Sequence, residues 1–361
     1  MTVKKRNSNL ELLRVLAILS VIALHAFRHA AQGRIFEANL SLNYILAIFT
    51  SSWGCGGVDV FFIIRAYFLL ESSRVKLEKV VKVVLVTDLY LVGTYLFSVL
   101  MQWQTFSARV LMVGLLSPIR NNYWFVTSYL FLYLVHPVLN QVIGKLNDKQ
   151  LGMVSLILGL PLFVYKFLYQ AAPVDSIGIG VAIYFCVACY KRMGGTLHRA
   201  KVLQYAGGMA AAAILGSEIL YANPGTKSAL TQYAAVQMTG KYSPFLLVLA
   251  FAIFDWYRHR APFYSGLINT FSKGTLAIYV LHESYYIYPY LWDRVFPVGA
   301  WFQTPWFIVL YVGAILALFV GLSALDLLLA PLYSVLGKGI CQACVSVFGK
   351  LHNWVRMKTE G

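Results

Sequence analysis

The chain reads as an all-α membrane protein, a polytopic bundle of about ten transmembrane helices with both termini in the cytoplasm. Three observations predict this. First, 59% of the 361 residues are hydrophobic and only 12% are charged, with a mean hydropathy of +0.67, whereas a soluble domain carries about twice that share of charge. Second, the apolar residues come in runs of about 20, the length that crosses a bilayer core of roughly 30 Å. Third, the excess of Lys and Arg, a formal charge of +16, falls on one set of alternate loops. The basic balance therefore reports topology rather than nucleic acid, which is not expected as a partner.

Taken in order, the expected spans are 10–30, 54–72, 83–101, 123–142, 151–170, 176–190, 204–221, 243–257, 274–292 and 305–330. The leading MTVKKRNSN is basic and polar, and no small-residue cleavage site follows the first apolar core, so that span is expected to be a retained anchor. An apolar piece at 40–50 is too short to cross alone. It either lies at the interface or extends the second span. With Lys4, Lys5 and Arg6 inside, alternation puts Arg74, Lys76, Lys79, Lys82, Lys145, Lys149, Lys191, Arg192, Arg199, Lys201, Arg258, Arg260 and Lys273 on the same face. With the C-terminal Lys338, Lys350, Arg356 and Lys358 on that face too, roughly 20 basic residues lie inside against about 8 outside. Residues 1–335 are read as the transmembrane domain, and 336–361 as a short basic amphipathic tail on the cytoplasmic side. No Pro- or Ser-rich linker and no internal repeat stands out. Cys186/Cys189 and Cys341/Cys344 form two CxxC pairs more than 150 positions apart. A zinc site needs four suitably placed ligands, so the cysteines are read as structural and no metal is expected.

Ionisable residues inside apolar spans are expensive and are functional candidates by default. Here they include Arg14, His25, Asp59, Arg65, Asp88, His136, Lys166, Asp255, His282, Glu283 and Asp326. Lys166, Asp255 and Asp326 are most simply snorkelling or capping residues, and His136 precedes a proline at a kink. Arg14 and His25 are eleven residues apart, and eleven steps of 100° return to within about 20°. They share one face of the first helix, separated by roughly 16 Å along its axis. The plain alternative is a snorkelling arginine and an interfacial histidine. Asp59 follows the glycines of GCGGVDVFFIIRAYFLL, which allow close backbone approach. His282 and Glu283 precede a run of tyrosines, an interfacial belt or a wall on which a sugar ring stacks. His25 and His282 are the best general-base candidates, because imidazole titrates nearest neutrality. The cluster Arg74, Lys76, Lys79 and Lys82 is either ordinary positive-inside charge on anionic lipid or a landing site for a phosphorylated ligand.

These elements together resemble the acyltransferase-3 family of integral-membrane O-acyltransferases. The shared features are a basic residue, ten intervening residues and a histidine on the first span (Arg14, His25); a glycine-rich lead into a phenylalanine pair (GGVDVFF); and a basic pair three apart (Lys79, Lys82). A Trp-Phe element opens a middle span (Tyr123-Trp124-Phe125), and a late Tyr-x-x-His follows (Tyr279 to His282). One departure stands out. The family usually has Ser-Gly where this chain has Arg65-Ala66, so Arg65 either reaches a donor phosphate or blocks the cavity and leaves the protein inactive.

The resemblance implies a stand-alone O-acyltransferase of the bacterial inner membrane. It would move an acyl group, commonly acetyl, from cytoplasmic acetyl-CoA or another acyl-CoA to a hydroxyl of a cell-surface or lipid-linked carbohydrate. His25 is then the base or acyl relay, Arg14 holds donor phosphate or orients the site, Asp59 orients His25, and His282 is a second base. Lys79, Lys82, Arg74 and Arg65 bind the donor; Trp124, Tyr123, Tyr279 and Glu283 bind the acceptor. The implied partners are acyl-CoA, a carbohydrate and the bilayer, with no permanently bound cofactor and homo-oligomerisation left open. The rival readings are a transporter or flippase of a lipid-linked sugar, which intramembrane charges and an aromatic route would serve equally well, and an inactive family member.

Overall fold

The computed structural model describes residues 7–30, 41–169, 176–199, 201–241 and 243–359; the side chains of 30, 162–163, 166–169, 195–197, 199, 345 and 347–359 are not among those described. Lys4, Lys5, Arg6 and the side chain of Lys166 thus lie outside the described residues. The architecture is helical throughout, with no strand among the described residues. Seven helical segments are long and apolar enough to cross a membrane.

The helices are α1 (Asn9–Ala30), α2 (Leu42–Leu69), α3 (Leu77–Leu100), α4 (Ala108–Gly114), α5 (Trp124–Lys145), α6 (Asp148–Tyr169), α7 (Ser176–Arg199) and α8 (Val202–Ala222). They continue with α9 (Ala229–Thr239), α10 (Pro244–His259), α11 (Gly266–Phe271), α12 (Thr275–His282), the short turns α13 (Tyr288–Tyr290) and α14 (Val298–Trp301), and α15 (Phe307–Thr359).

Three expected boundaries change. The apolar piece at 40–50 does not lie apart but joins the second span in one 28-residue helix, begun by Ser41, whose hydroxyl accepts from the Tyr44 N–H at 3.1 Å. The expected span 274–292 is not one helix. It stops at His282, turns through 283–287 and resumes as a short turn and a π-turn over Leu291–Val295. Pro289 falls in the first turn of the resumed segment, where its missing N–H leaves no bond unmade. The last span does not end near 330. α15 runs 53 residues without a break, roughly 80 Å at 1.5 Å per residue.

Helix α1 lies at the junction of two cores. Its outer half (Ile18, Val21, Ile22, Ala26, Phe27) packs with residues of α3, α12 and α15, and its inner half (Leu13, Ala17) packs with residues of α2, α5, α7 and α10. The α1–α2 contact is close because α2 presents glycine. A Cβ on Gly57 would lie 2.5 Å from Ser20 Oγ and 2.8 Å from the Ala17 carbonyl oxygen, and one on Gly54 would overlap Leu24. Small residues at this spacing are what let two membrane helices approach.

Asp255 and Asp326 do not snorkel. Both are buried, 0% and 5% exposed, and a buried carboxylate needs donors. Asp326 accepts from Tyr90 at 2.6 Å and Tyr333 at 3.2 Å. Asp255 accepts from Tyr190 at 2.6 Å and Gln204 at 2.8 Å.

Candidate active site along helix α1

The shared face of Arg14 and His25 carries two separate stations. At the inner one, α1, α2, α3, α5 and the start of α12 enclose a cavity of ≈ 940 Å³. Its wall includes the cations Arg14, Arg65, Lys79, Lys82, Arg258 and Lys273, and the aromatics Phe61, Phe125, Tyr129, Tyr133 and Tyr279. Glu11 is the carboxylate of that wall; both its oxygens lie 2.9 Å from Arg14 Nη1. Arg14 is thus held in place by a residue three positions away on its own helix. The remaining cations leave the cavity strongly positive, the setting in which phosphates bind.

Arg65 is accommodated by aromatic faces. Its guanidinium lies 4.4 Å from the Tyr129 ring centroid and 4.6 Å from that of Tyr133, a cation–π arrangement that offsets part of its desolvation. Its Nε is buried without a hydrogen-bond partner. Lys79 sits 6.0 Å from the Tyr133 ring and Lys82 5.5 Å from that of Tyr333. Arg258 donates to Tyr190 at 3.1 Å and stacks near Tyr67. Arg74 is exposed and is not part of the cavity wall, so the structure does not bring it to the other donor-site candidates.

The outer station lies where α1 meets the break after α12. His25 Nδ1 is 2.9 Å from His282 Nε2 and 3.0 Å from Glu283 Oε2, and His29 Nε2 is 3.2 Å from that same carboxylate oxygen. The partners fix the tautomers. His282 Nδ1 faces the Ile278 carbonyl oxygen at 2.5 Å, so this nitrogen carries the proton and Nε2 of the neutral ring accepts. His25 Nδ1 must then be the donor, shared between His282 Nε2 and Glu283. That leaves His25 Nε2 with its lone pair free of these contacts, the state a general base requires. The His29 ring stacks on Tyr288, centroids 4.1 Å apart.

Tyr279 joins the stations. It lines the cavity, and its ring lies 6.4 Å from that of His25 and 5.5 Å from that of Phe125. His282 ends α12 and Glu283 caps it, its N–H still donating to the Tyr279 carbonyl oxygen at 3.2 Å, and both side chains reach α1.

Other predicted residues lie elsewhere. Asp59 makes no hydrogen bond to His25. It is buried, with Oδ2 unpartnered, and the cation acting on it is Lys241, so the carboxylate that orients His25 is Glu283. Trp124 stacks under the Lys241 ammonium, 3.1 Å from its ring centroid, and is not in the cavity wall. Tyr123 is buried and donates to the Val280 carbonyl oxygen at 3.1 Å, tying α5 to α12. Sequence reasoning missed Glu11, His29, Lys273, Tyr129 and Tyr133. Two carried a signal: His29 is four residues from His25 and Glu11 three from Arg14, both same-face spacings.

His25, His282 and Glu283 also form a trio close enough to hold a cation. His25 Nδ1 and His282 Nε2 face each other at 2.9 Å, and a proton shared between them and Glu283 gives the geometry of an oriented base.

A family model described as an acyltransferase domain, acyltransferase-3, matches residues 7–324 of the 361. No curated protein and no solved structure matches the chain. The matched segment begins before α1 and ends within α15, so it contains both stations and every helix that builds them. The chain is a multi-pass membrane protein that belongs to the acyltransferase-3 family.

Proposed function

We propose that the protein is an O-acyltransferase of the bacterial inner membrane that moves an acyl group, acetyl in the simplest case, from cytoplasmic acyl-CoA to a hydroxyl of a cell-surface or lipid-linked carbohydrate. The observation that carries this reading is the pairing of a cation-lined cavity with an oriented histidine on the same helix face, joined through Tyr279. Lys79, Lys82 and Arg65 hold the donor phosphates, with Arg14 braced by Glu11 among them. The long arm that separates phosphates from thiol in coenzyme A takes up the roughly 16 Å to His25.

At the outer station His25 Nε2 removes the proton of the acceptor hydroxyl. The alkoxide oxygen attacks the thioester carbonyl, a carbon–oxygen bond forms and the carbon–sulfur bond breaks. The proton held on His25 passes to the departing thiolate. Glu283 and His282 stabilise the imidazolium that exists between these steps, and His29 shares the load on Glu283. The acceptor sugar stacks at His29 and Tyr288. Asp59 lies within electrostatic reach of Lys241, whose ammonium sits over Trp124 at the start of α5, outside the two stations. The tail after 335 keeps the charge that suits a membrane surface.

The test is acyl transfer by purified protein in detergent or vesicles. Free thiol released from acetyl-CoA is followed alongside the mass of the envelope glycans. Wild type adds the mass of one acetyl group per modified sugar and His25→Ala does not. Unchanged acetylation in a well-expressed His25→Ala variant overturns the assignment, and sugar movement across the bilayer without thiol release favours the flippase.

A further inference from the structure

We propose that His198, Asp255 and His259 form a binding site for a divalent transition-metal cation of the zinc type, at the cytoplasmic ends of α7 and α10 and separate from the acyl-transfer stations. The two histidines are 61 positions apart in sequence, yet both turn the same ring nitrogen to one carboxylate. His198 Nδ1 lies 2.8 Å from Asp255 Oδ2, and His259 Nδ1 is shared between Asp255 Oδ1 at 3.2 Å and the Asp255 main-chain carbonyl oxygen at 2.9 Å, a contact that an ion on this nitrogen would displace. The three ligand atoms all lie within 4.8 Å of one another. In a tetrahedral site with bonds of about 2.0–2.2 Å, neighbouring ligand atoms stand roughly 3.3 Å apart. An ion that replaces the two N–H protons therefore asks the nitrogens to move outward by only a few tenths of an ångström from the carboxylate. The imidazoles, stacked at 3.7 Å with planes 17° apart, tilt to aim both lone pairs at it. Each ring then binds as the neutral Nε2–H tautomer: the proton displaced from Nδ1 goes to solvent and Nε2 takes one from it.

The surroundings are those of a ligand set. Asp255 is fully buried and does not depend on the histidines for its orientation: Tyr190 donates to Oδ1 at 2.6 Å and Gln204 to Oδ2 at 2.8 Å. Such outer hydrogen bonds fix a ligating carboxylate. The His198 and His259 side chains are 39% and 27% exposed, which leaves a path from the cytoplasm and room for water at the remaining positions. Two imidazoles and one carboxylate suit zinc and its neighbours rather than magnesium or calcium.

The experiment uses the tag-free full-length protein in detergent, dialysed against Zn²⁺ and then metal-free buffer, with bound metal measured by plasma mass spectrometry. The expected result is about one equivalent per chain, abolished in His198→Gln/His259→Gln and retained in Glu283→Ala. Gln204→Ala, which touches no metal, lowers affinity about 10- to 100-fold by calorimetry. Because the double variant could misfold, X-ray absorption of Co²⁺-loaded wild type supplies a second reading. Two imidazole ligands support the site. No metal retained, retention in the double variant, loss in Glu283→Ala, or sulfur ligands from Cys186 and Cys189 would each overturn it.

Discussion

Replacing Glu283 by glutamine tests the outer station directly. The change removes one negative charge and keeps the size of the side chain. Glu283 Oε2 stands 3.0 Å from His25 Nδ1. At an effective dielectric constant of about 20, a full charge pair at that distance is worth roughly 5 kcal/mol. The imidazole is neutral before the reaction and charged only as it takes the proton, so the attraction acts on the transition state. With the proton about half transferred, the loss is about 2–3 kcal/mol, or roughly 10²-fold in kcat. The KM for acyl-CoA should hold, because Glu283 is not part of the cavity wall that carries the cations. The assay is initial-rate thiol release with acceptor present, corrected for hydrolysis without it. A kcat within about threefold of wild type would refute the orienting role, and a rise in donor KM alone would move Glu283 to the donor side.

Other outcomes follow from the same geometry. Arg65→Ser should raise the KM for acyl-CoA about 10- to 100-fold, the worth of one charge-assisted contact, and higher activity would show instead that Arg65 obstructs the cavity. Lys79→Ala should raise the donor KM in a salt-dependent way while Arg74→Ala leaves it within about twofold, since only Lys79 lines the cavity; equal effects would restore Arg74 to the site. Gly57→Leu should destabilise the protein by about 1–3 kcal/mol through overlap with Ser20 and Ala17, seen as a lower Tm in detergent, and an unchanged Tm would refute the close α1–α2 approach. His29→Ala should raise the KM for the acceptor more than it lowers kcat, and a loss in kcat alone would place His29 with the base rather than the sugar.

Much of the fold was legible because membrane helices are written in local composition. A run of about 20 apolar residues has no other way to satisfy its backbone in lipid, so length and hydropathy locate the helix without knowledge of its neighbours. The pairing of Arg14 with His25 was legible for a related reason: both sit on one helix, where a spacing of eleven fixes a shared face. The errors fall where neighbours decide. The break after His282 carries no local signal at 283–287, since Pro289 belongs to the turn that follows, and the course of the chain there is set by packing against α1. Asp255 and Asp326 were misread because a carboxylate near the end of a span looks like a snorkelling group until the tyrosines of other helices are known.

The sequence by itself determined the class of protein, the course of most spans and the face of α1 that carries both Arg14 and His25, because each depends on residues close in the chain. Only the tertiary structure decided which carboxylate serves His25. Asp59 and Glu283 are both acidic residues within apolar surroundings, and no periodicity ranks them. Contact does, and it places Glu283 rather than Asp59 at hydrogen-bond distance from a nitrogen 258 positions earlier. The same holds for Arg65. The sequence marks a charge whose burial is costly, and the two tyrosine faces that offset the cost come from α5, a helix nothing in the local sequence of α2 identifies. Burial energies and hydrogen bonds act between atoms in contact, and distant contacts are fixed when the helices pack.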